Sequence, residues 1–226
     1  MRYITIPGFG EEPWMFDRIT DELEGELLSL NHYDVLGQER RGRYSLLMAA
    51  EEFVQKYDIG ADDVIIGHSM GGWIGLGIKQ LTGCRLVQIG SWTDPRKVLL
   101  PSRNKRLVFW VVRRRLYFTA LSQRLVIGLF YRKRPSKAAF HRLFSHLRAS
   151  HPEYIVNQLK LVLTPADRDP EVTPDLRIHS LKDHIVRPPE EPYALVPGDH
   201  FALWTYPRQV KEALGDWLRK LDKAPA

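Results

Sequence analysis

The chain has 226 residues, 44% of them apolar, which is enough to fill a core and excludes wholesale disorder. Its single cysteine, Cys84, excludes an internal disulfide and fits a reducing compartment. The net charge of +6 is unevenly placed: residues 91–165 hold 16 Lys/Arg against two acids, Asp94 and Glu153, so that this segment carries +14 and the remainder, with 17 basic and 25 acidic residues, carries −8. Sign asymmetry of this size concerns partners rather than fold.

In chain order, RYITI at 2–6 reads as a strand that ends in the turn PGFG. Trp14, Phe16, Ile19 and Leu23 recur at helical spacing over 13–23, and LLSL at 27–30 reads as a short buried strand. Leu46, Leu47, Ala50, Phe53 and Val54 share one helical face within 44–57. DVIIG at 63–67 is a strand with no alternation, as expected where both faces of a sheet are covered. MGGWIGLGIKQL then reads as a helix, and RLVQIG at 85–90 as another continuous apolar strand. Strand–helix alternation predicts a parallel sheet with right-handed crossovers. It stops at 92–165, where four helices are predicted near 103–119, 121–131, 136–149 and 152–163, with Pro135 and Pro152 as breaks. It resumes with LRIHSL at 176–181 and YALVP at 193–197, and closes with an amphipathic helix at 207–221. The expected organisation is therefore one α/β core, residues 1–91 and 166–226, interrupted by a basic helical insertion, 92–165. The stretch MRYITIPGFG lacks the basic start and apolar run of a signal peptide, and no uncharged apolar run reaches membrane-span length. A cytoplasmic protein without a transmembrane segment is the expectation.

The strongest local signal is Gly67-His68-Ser69-Met70-Gly71-Gly72. It contains G-x-S-x-G, and it directly follows a predicted strand and opens a predicted helix, the context of a nucleophile elbow. A serine on so sharp a turn needs a strained backbone angle, and side chains two residues to either side would collide, hence Gly67 and Gly71. The helix that follows points its N-terminal N–H groups and positive dipole end at the site, which makes Met70 N–H the first donor to a developing oxyanion. A second donor is expected from the loop after the first strand, where Gly8 and Gly10 let the backbone turn inward and Phe9 N–H is the candidate.

Eight histidines compete for the role of base. His200, in VPGDHFALW after a late strand, is favoured, because the order Ser…Asp…His then closes with Asp183 between them. His184 is the nearest alternative. His141, His146 and His151 fall in the insertion, His32 lies early, His179 lies inside a strand, and His68 adjoins the serine on a turn where neighbours point apart. Asp183 follows a strand at its C-terminal end, where catalytic groups gather in such sheets; Asp199 and Asp94 are its rivals.

In PGFG at 7–10, GHSMGG at 67–72, Asp183 within IHSLKDHIVRPP and His200 within PGDHF, the sequence resembles the α/β-hydrolase superfamily, over nearly the whole chain and in that family's order. The resemblance implies a doubly wound, mostly parallel sheet, a Ser69–His200–Asp183 triad, Phe9 and Met70 N–H as oxyanion hole, and no cofactor or metal. It also departs from the family. The chain starts at what resembles the family's third strand, so the sheet is minimal, about six strands. Pro7 stands where many members have His, and Ser180 where many have Gly. The insertion resembles the helical cap of such enzymes, and the overall look is closest to small carboxylesterases, capped esterases acting on acyl groups of acyl carrier protein among them.

Aromatic residues in and around the insertion suggest an apolar acyl pocket between cap and core, with Trp14, Trp92, Trp110 and Phe201 as candidate substrate-binding residues. The expected reaction is hydrolysis of a carboxylic ester with an apolar acyl chain. Thioester or amide cleavage or acyl transfer on the same triad is one alternative, and a binding module that retains the fold without chemistry is another. The arginines of the insertion read as solvated surface or as a face for an acidic protein or anionic lipid; nucleic acid is disfavoured because no recognition motif accompanies the charge.

Overall fold

The computed structural model describes residues 1–21, 23–37, 42–99, 102, 104–164 and 172–222. Six strands, β1 (Arg2–Ile6), β2 (Glu26–Ser29), β3 (Asp63–His68), β4 (Arg85–Ile89), β5 (Leu176–His179) and β6 (Ala194–Leu195), form one sheet in the order β2-β1-β3-β4-β5-β6. Every pairing is parallel. Alternate side chains enter two separate cores: Tyr3, Val64, Ile66, Val87, Ile89 and Ile178 face one, and Ile4, Ile6, Ile65 and Leu86 the other. Burial on both faces is the reason β3 reads as an unbroken apolar run.

Helices α1 (Tyr33–Leu36), α2 (Leu46–Tyr57) and α3 (Met70–Thr82) close the second core. Ser45 caps α2 by accepting the Met48 N–H, and Gly83, at φ 75°, ends α3. Four helices, α4 (Lys105–Arg113), α5 (Ala120–Val126), α6 (Lys137–Ala149) and α7 (Pro152–Leu163), occupy the segment between β4 and β5; α8 (Ala202–Thr205) and α9 (Pro207–Asp222) follow the sheet. Val112, Phe140, Phe144 and Leu159 of that segment join Val210 and Leu214 of α9 in the first core. Both sheet faces are therefore covered, and the fold is a doubly wound α/β sheet. The expected insertion boundary at 165–166 lies outside the described residues.

Several element bounds differ from the sequence reading. The helix predicted over 13–23 is a 3-10 turn, Pro13–Phe16, prolonged by turns. Its bonds run three residues back, from Met15, Asp17 and Ile19, and the Thr20 hydroxyl takes the Phe16 carbonyl that an α-helix would use. Trp14, Phe16 and Ile19 are buried all the same, which is what their spacing reported. The helix predicted over 103–119 ends at Arg113, because Arg115 turns left-handed at φ 54°. The stretch 127–131 is a single π-helical turn continuing α5. Among the described residues no helix is long and apolar enough to cross a membrane.

Candidate active site

Ser69 stands between β3 and α3 with φ 50° and ψ −119°, in the region that side chains rarely adopt. The two flanking glycines make that turn possible. A Cβ on Gly71 would lie 1.9 Å from the Ile6 carbonyl oxygen, and one on Gly67 would lie 2.5 Å from the Gly72 backbone. The Ser69 N–H donates to Ile89 O at 3.0 Å, and Ser91 Oγ donates to Ser69 O at 2.7 Å, so both sides of the turn are held from β4 and its loop. Among the described residues the Ser69 hydroxyl itself makes no hydrogen bond.

His200 and Asp183 meet at the C-terminal ends of β5 and β6. The His200 Nδ1–H donates to Asp183 Oδ2 at 2.7 Å, and the other carboxylate oxygen accepts the N–H groups of Ile185 and Val186, each at 2.8 Å. Burial disfavours the imidazolium of His200, but the charge and hydrogen bond of Asp183 outweigh it, so the ring titrates above its ordinary range. Burial likewise opposes the Asp183 charge, and His200 with the two N–H donors overrides it, holding the carboxyl below its usual range. With Nδ1 fixed as donor, Nε2 is the nitrogen left with a lone pair.

The rival groups are occupied elsewhere. Asp199 accepts Ser136 Oγ at 2.6 Å and faces Arg134 at 3.5 Å, which ties the loop before His200 to the helical segment. His184 bonds the Tyr131 hydroxyl through Nε2 at 2.7 Å, and burial followed by the nearby Arg134 charge pushes its pKa down. Asp94 caps the short turn Pro95–Lys97. His179, buried at the end of β5, donates its Nε2–H to the Val186 carbonyl at 3.2 Å and lies 3.7 Å from the Asp183 carboxylate.

The loop after β1 is held from three directions. Gly8 N–H donates to Glu11 Oε2 at 2.6 Å, and Gly10 N–H to Gln158 Oε1 at 2.8 Å. The Gly10 carbonyl accepts His146 Nδ1 at 3.0 Å, and the Gly8 carbonyl accepts His32 Nε2 at 2.8 Å. Among the described residues the N–H groups of Phe9 and Met70 have no hydrogen-bond partner, while the N–H groups on either side of Phe9 do. Glu11 and His68 are functional-looking residues that sequence reasoning missed. The buried Glu11 carboxyl, besides holding Gly8, meets His68 Nδ1 at 2.8 Å, and His68 Nε2 donates to the His200 carbonyl at 2.9 Å. His68 thus joins the two loops that frame the site, with its ring 4.8 Å from that of His200. The available signal was the carboxyl pair Glu11-Glu12 directly after the apolar, glycine-rich PGFG turn.

His32 accepts the Tyr154 hydroxyl at Nδ1 (2.6 Å) while donating from Nε2, an arrangement only the neutral ring can make. Full burial lowers its pKa to about 4. As pH falls from about 6.5 the unfolded chain binds a proton that folded His32 refuses, so stability drops until the folded pKa is reached, by up to about 3 kcal/mol. The thermal midpoint should therefore fall steadily between those pH values, and His32→Gln should flatten the slope. An equal slope in the variant would assign the acid lability to other groups, buried His179 and His184 among them.

Ser69, His200, Phe201 and Phe9 line one cavity of about 370 Å³, closed on the far side by apolar side chains of α4, α6 and α7, Val108, Val111, Leu143 and Leu159 among them. Of the four expected pocket residues only Phe201 is there. Trp92 lies on the other side of the sheet, stacked on Trp73 with ring centroids 6.3 Å apart. Trp14 is buried against the edge of Trp204 under Arg142. Trp110 sits on the outer side of α4, exposed to solvent. The aromatic and aliphatic residues that take their place, Phe140 and Phe144 with the valines of α4, lie one helical turn apart on inward faces. Among the described residues no cluster of three or more His, Cys, Asp or Glu side chains is placed to hold a metal ion.

The sequence profile of the "Alpha/beta hydrolase family" matches residues 4–219. No curated protein sequence matches the chain. Among solved structures, a thermophilic esterase from Thermogutta terrifontis superposes with a TM-score of 0.71 at 18% identity, covering 97% of this chain and 90% of its own. The enol-lactonase from Burkholderia xenovorans LB400 gives 0.67 at 10% identity, with 96% and 91% covered. A bromoperoxidase from Bacillus anthracis gives 0.62 at 14%, with 96% and 91% covered. At such identities these likenesses speak for the fold, and their different chemistries agree that one scaffold carries several reactions. The profile match, spanning the sheet from β1 to the last helix, places the chain in the alpha/beta hydrolase family.

Proposed function

We propose that the protein is a serine hydrolase that cleaves a carboxylic ester with an apolar acyl chain through an acyl-enzyme. The observation that carries this reading is the meeting of Ser69 and His200 on one apolar cavity, with Asp183 bonded behind His200. Ser69 Oγ attacks the ester carbonyl, and His200 Nε2 takes its proton and then delivers it to the leaving alcohol. Asp183 fixes the ring tautomer and stabilises the imidazolium. The free N–H groups of Phe9 and Met70 receive the oxyanion, the second with the help of the α3 N-terminus; each such donor is worth roughly a hundredfold or more in rate. The Ser69–His200 hydrogen bond forms with substrate in place, as catalytic contacts commonly do. Helices α4–α7 act as the cap over the acyl site, and the valine, leucine and phenylalanine lining favours hydrocarbon over polar acyl groups. The esterase and enol-lactonase among the structural neighbours agree with ester chemistry.

A serine-directed fluorophosphonate together with p-nitrophenyl esters of rising chain length tests the reading. The probe should label Ser69, and kcat/KM should climb with acyl length until the cavity is filled. No labelling and no turnover would leave a binding module on this fold; labelling with turnover of thioesters or amides alone would keep the triad and replace the substrate.

A further inference from the structure

The cavity opens toward an unusual surface. Of the 16 large apolar side chains exposed among the described residues, eight fall between positions 107 and 130, so solvent-facing hydrophobicity is concentrated on α4, α5 and the turns that follow them. Leu121, Leu125 and Leu129 recur every four residues and stand on one side of α5 and its π-helical extension, 68%, 54% and 75% exposed. The opposite side of the same stretch is held by buried Gln123 and Tyr131, so this leucine row is the outer face of a docked helix. Trp110 on α4 and Phe130 in the π-helical turn are likewise more than half exposed. Exposed Lys105, Arg106, Arg114, Arg124, Arg132 and Lys133 are interleaved with these side chains, and no acid occurs between Asp94 and Glu153.

We propose that this face of α4 and α5 lies on an anionic lipid surface and that ester substrates enter the cavity from the membrane side; the second half of this rests on the esterase reading above. Three observations favour a membrane over other occupants. Leucine and aromatic tips beside long cationic side chains match the headgroup–acyl boundary, where the tips sink and the guanidinium and ammonium groups stay with the phosphates. An acidic protein would be served by the charge alone and gives no role to a row of protruding leucines. A second copy of the chain would set one strongly basic face, with the Arg113–Glu153 pair as its carboxyl contact, against another. The site is also continuous with the patch: Leu107 and Tyr117 are exposed and line the cavity that holds Ser69. An acyl chain leaving the bilayer thus passes over apolar side chains all the way to the nucleophile.

Flotation with vesicles decides the matter without relying on catalysis. The protein, and equally its Ser69→Ala form, should float with equimolar phosphatidylcholine–phosphatidylglycerol vesicles, stay behind with phosphatidylcholine alone, and detach as salt rises and the Debye length shrinks below about 10 Å. Leu121→Ser/Leu125→Ser/Leu129→Ser should weaken binding by roughly tenfold or more, and Arg114→Gln/Arg124→Gln should weaken it on anionic vesicles only, both with unchanged turnover of a soluble short ester. Protein that remains in solution with anionic vesicles overturns the proposal, and so does a leucine variant that floats like the parent. Retention by an acidic acyl carrier protein with no flotation would replace the membrane by a protein partner. Flotation without any esterase activity would sink the reaction assignment and leave the lipid surface standing.

Discussion

Exchanging Ser69, the proposed nucleophile, for alanine should lower turnover of a soluble p-nitrophenyl ester by roughly four to six powers of ten and leave the thermal midpoint unchanged. The two halves of this result have separate causes. The hydroxyl makes no hydrogen bond among the described residues, so its removal leaves no buried partner stranded. The left-handed backbone at φ 50° strains alanine as it strains serine, so the cost of the turn is present in both proteins. What disappears is the nucleophile, with the residual rate coming from binding and oxyanion contacts alone. A purified variant that kept more than about a tenth of the parent rate would move the nucleophile elsewhere.

Asp183→Asn should produce the second-largest loss, roughly ten-thousandfold in kcat/KM, because the amide would no longer hold His200 in the tautomer the proposed mechanism needs. The pH profile separates this from a mere packing defect. With His200 as the proposed base, the parent's kcat/KM should rise with pH through one ionisation, because the ring must be neutral to act, and that limb should lie above the ordinary histidine value of about 6.5. It lies there because Asp183 overcomes the burial that would lower it. In the asparagine variant burial remains and the carboxylate does not, so the limb of the residual activity shifts to below about 6.5. Asp199→Asn, next in sequence to His200, should move neither quantity to this extent, since its bonds go to Ser136 and Arg134. If Asp199→Asn gave the collapse and the shifted limb while Asp183→Asn did not, the two aspartates would exchange roles.

The sheet was legible because its signals are local and redundant. Continuous apolar runs at 63–67 and 85–90, each followed by a helix or a turn, are hard to place anywhere but in a covered parallel sheet. Ser69, Asp183 and His200 were legible for a related reason: each follows a strand, and parallel strands deliver their C-terminal ends to one edge. The pocket was not. Trp92 is two residues past Gly90, yet that short distance carries it to the opposite core, where Trp73 rather than a ligand covers it. Trp110 shares α4 with Val108 and Val111, and which side of that helix turns inward is decided by contacts with α7, remote in sequence. The Glu11–His68 bond was hidden likewise, for it spans 57 positions. Aromatic composition announces that apolar surface must be covered; it does not say by what.

The bonds from Gly10 to Gln158 and His146, and from Gly8 through His32 to Tyr154, bear on how this scaffold can be redesigned. Exchanging lids between relatives is an attractive way to transplant specificity, on the assumption that a lid brings its pocket and nothing else. In this protein α6 and α7 also act as the frame in which the loop after β1, the proposed source of one oxyanion donor, is set. A foreign lid lacking the amide, the imidazole and the phenol at those places would carry over a new pocket and lose the present placement of the loop after β1. Chimeras should therefore keep α7 and the end of α6 native, and vary α4, whose side chains reach the cavity without gripping that loop, together with α5, which does not line the cavity.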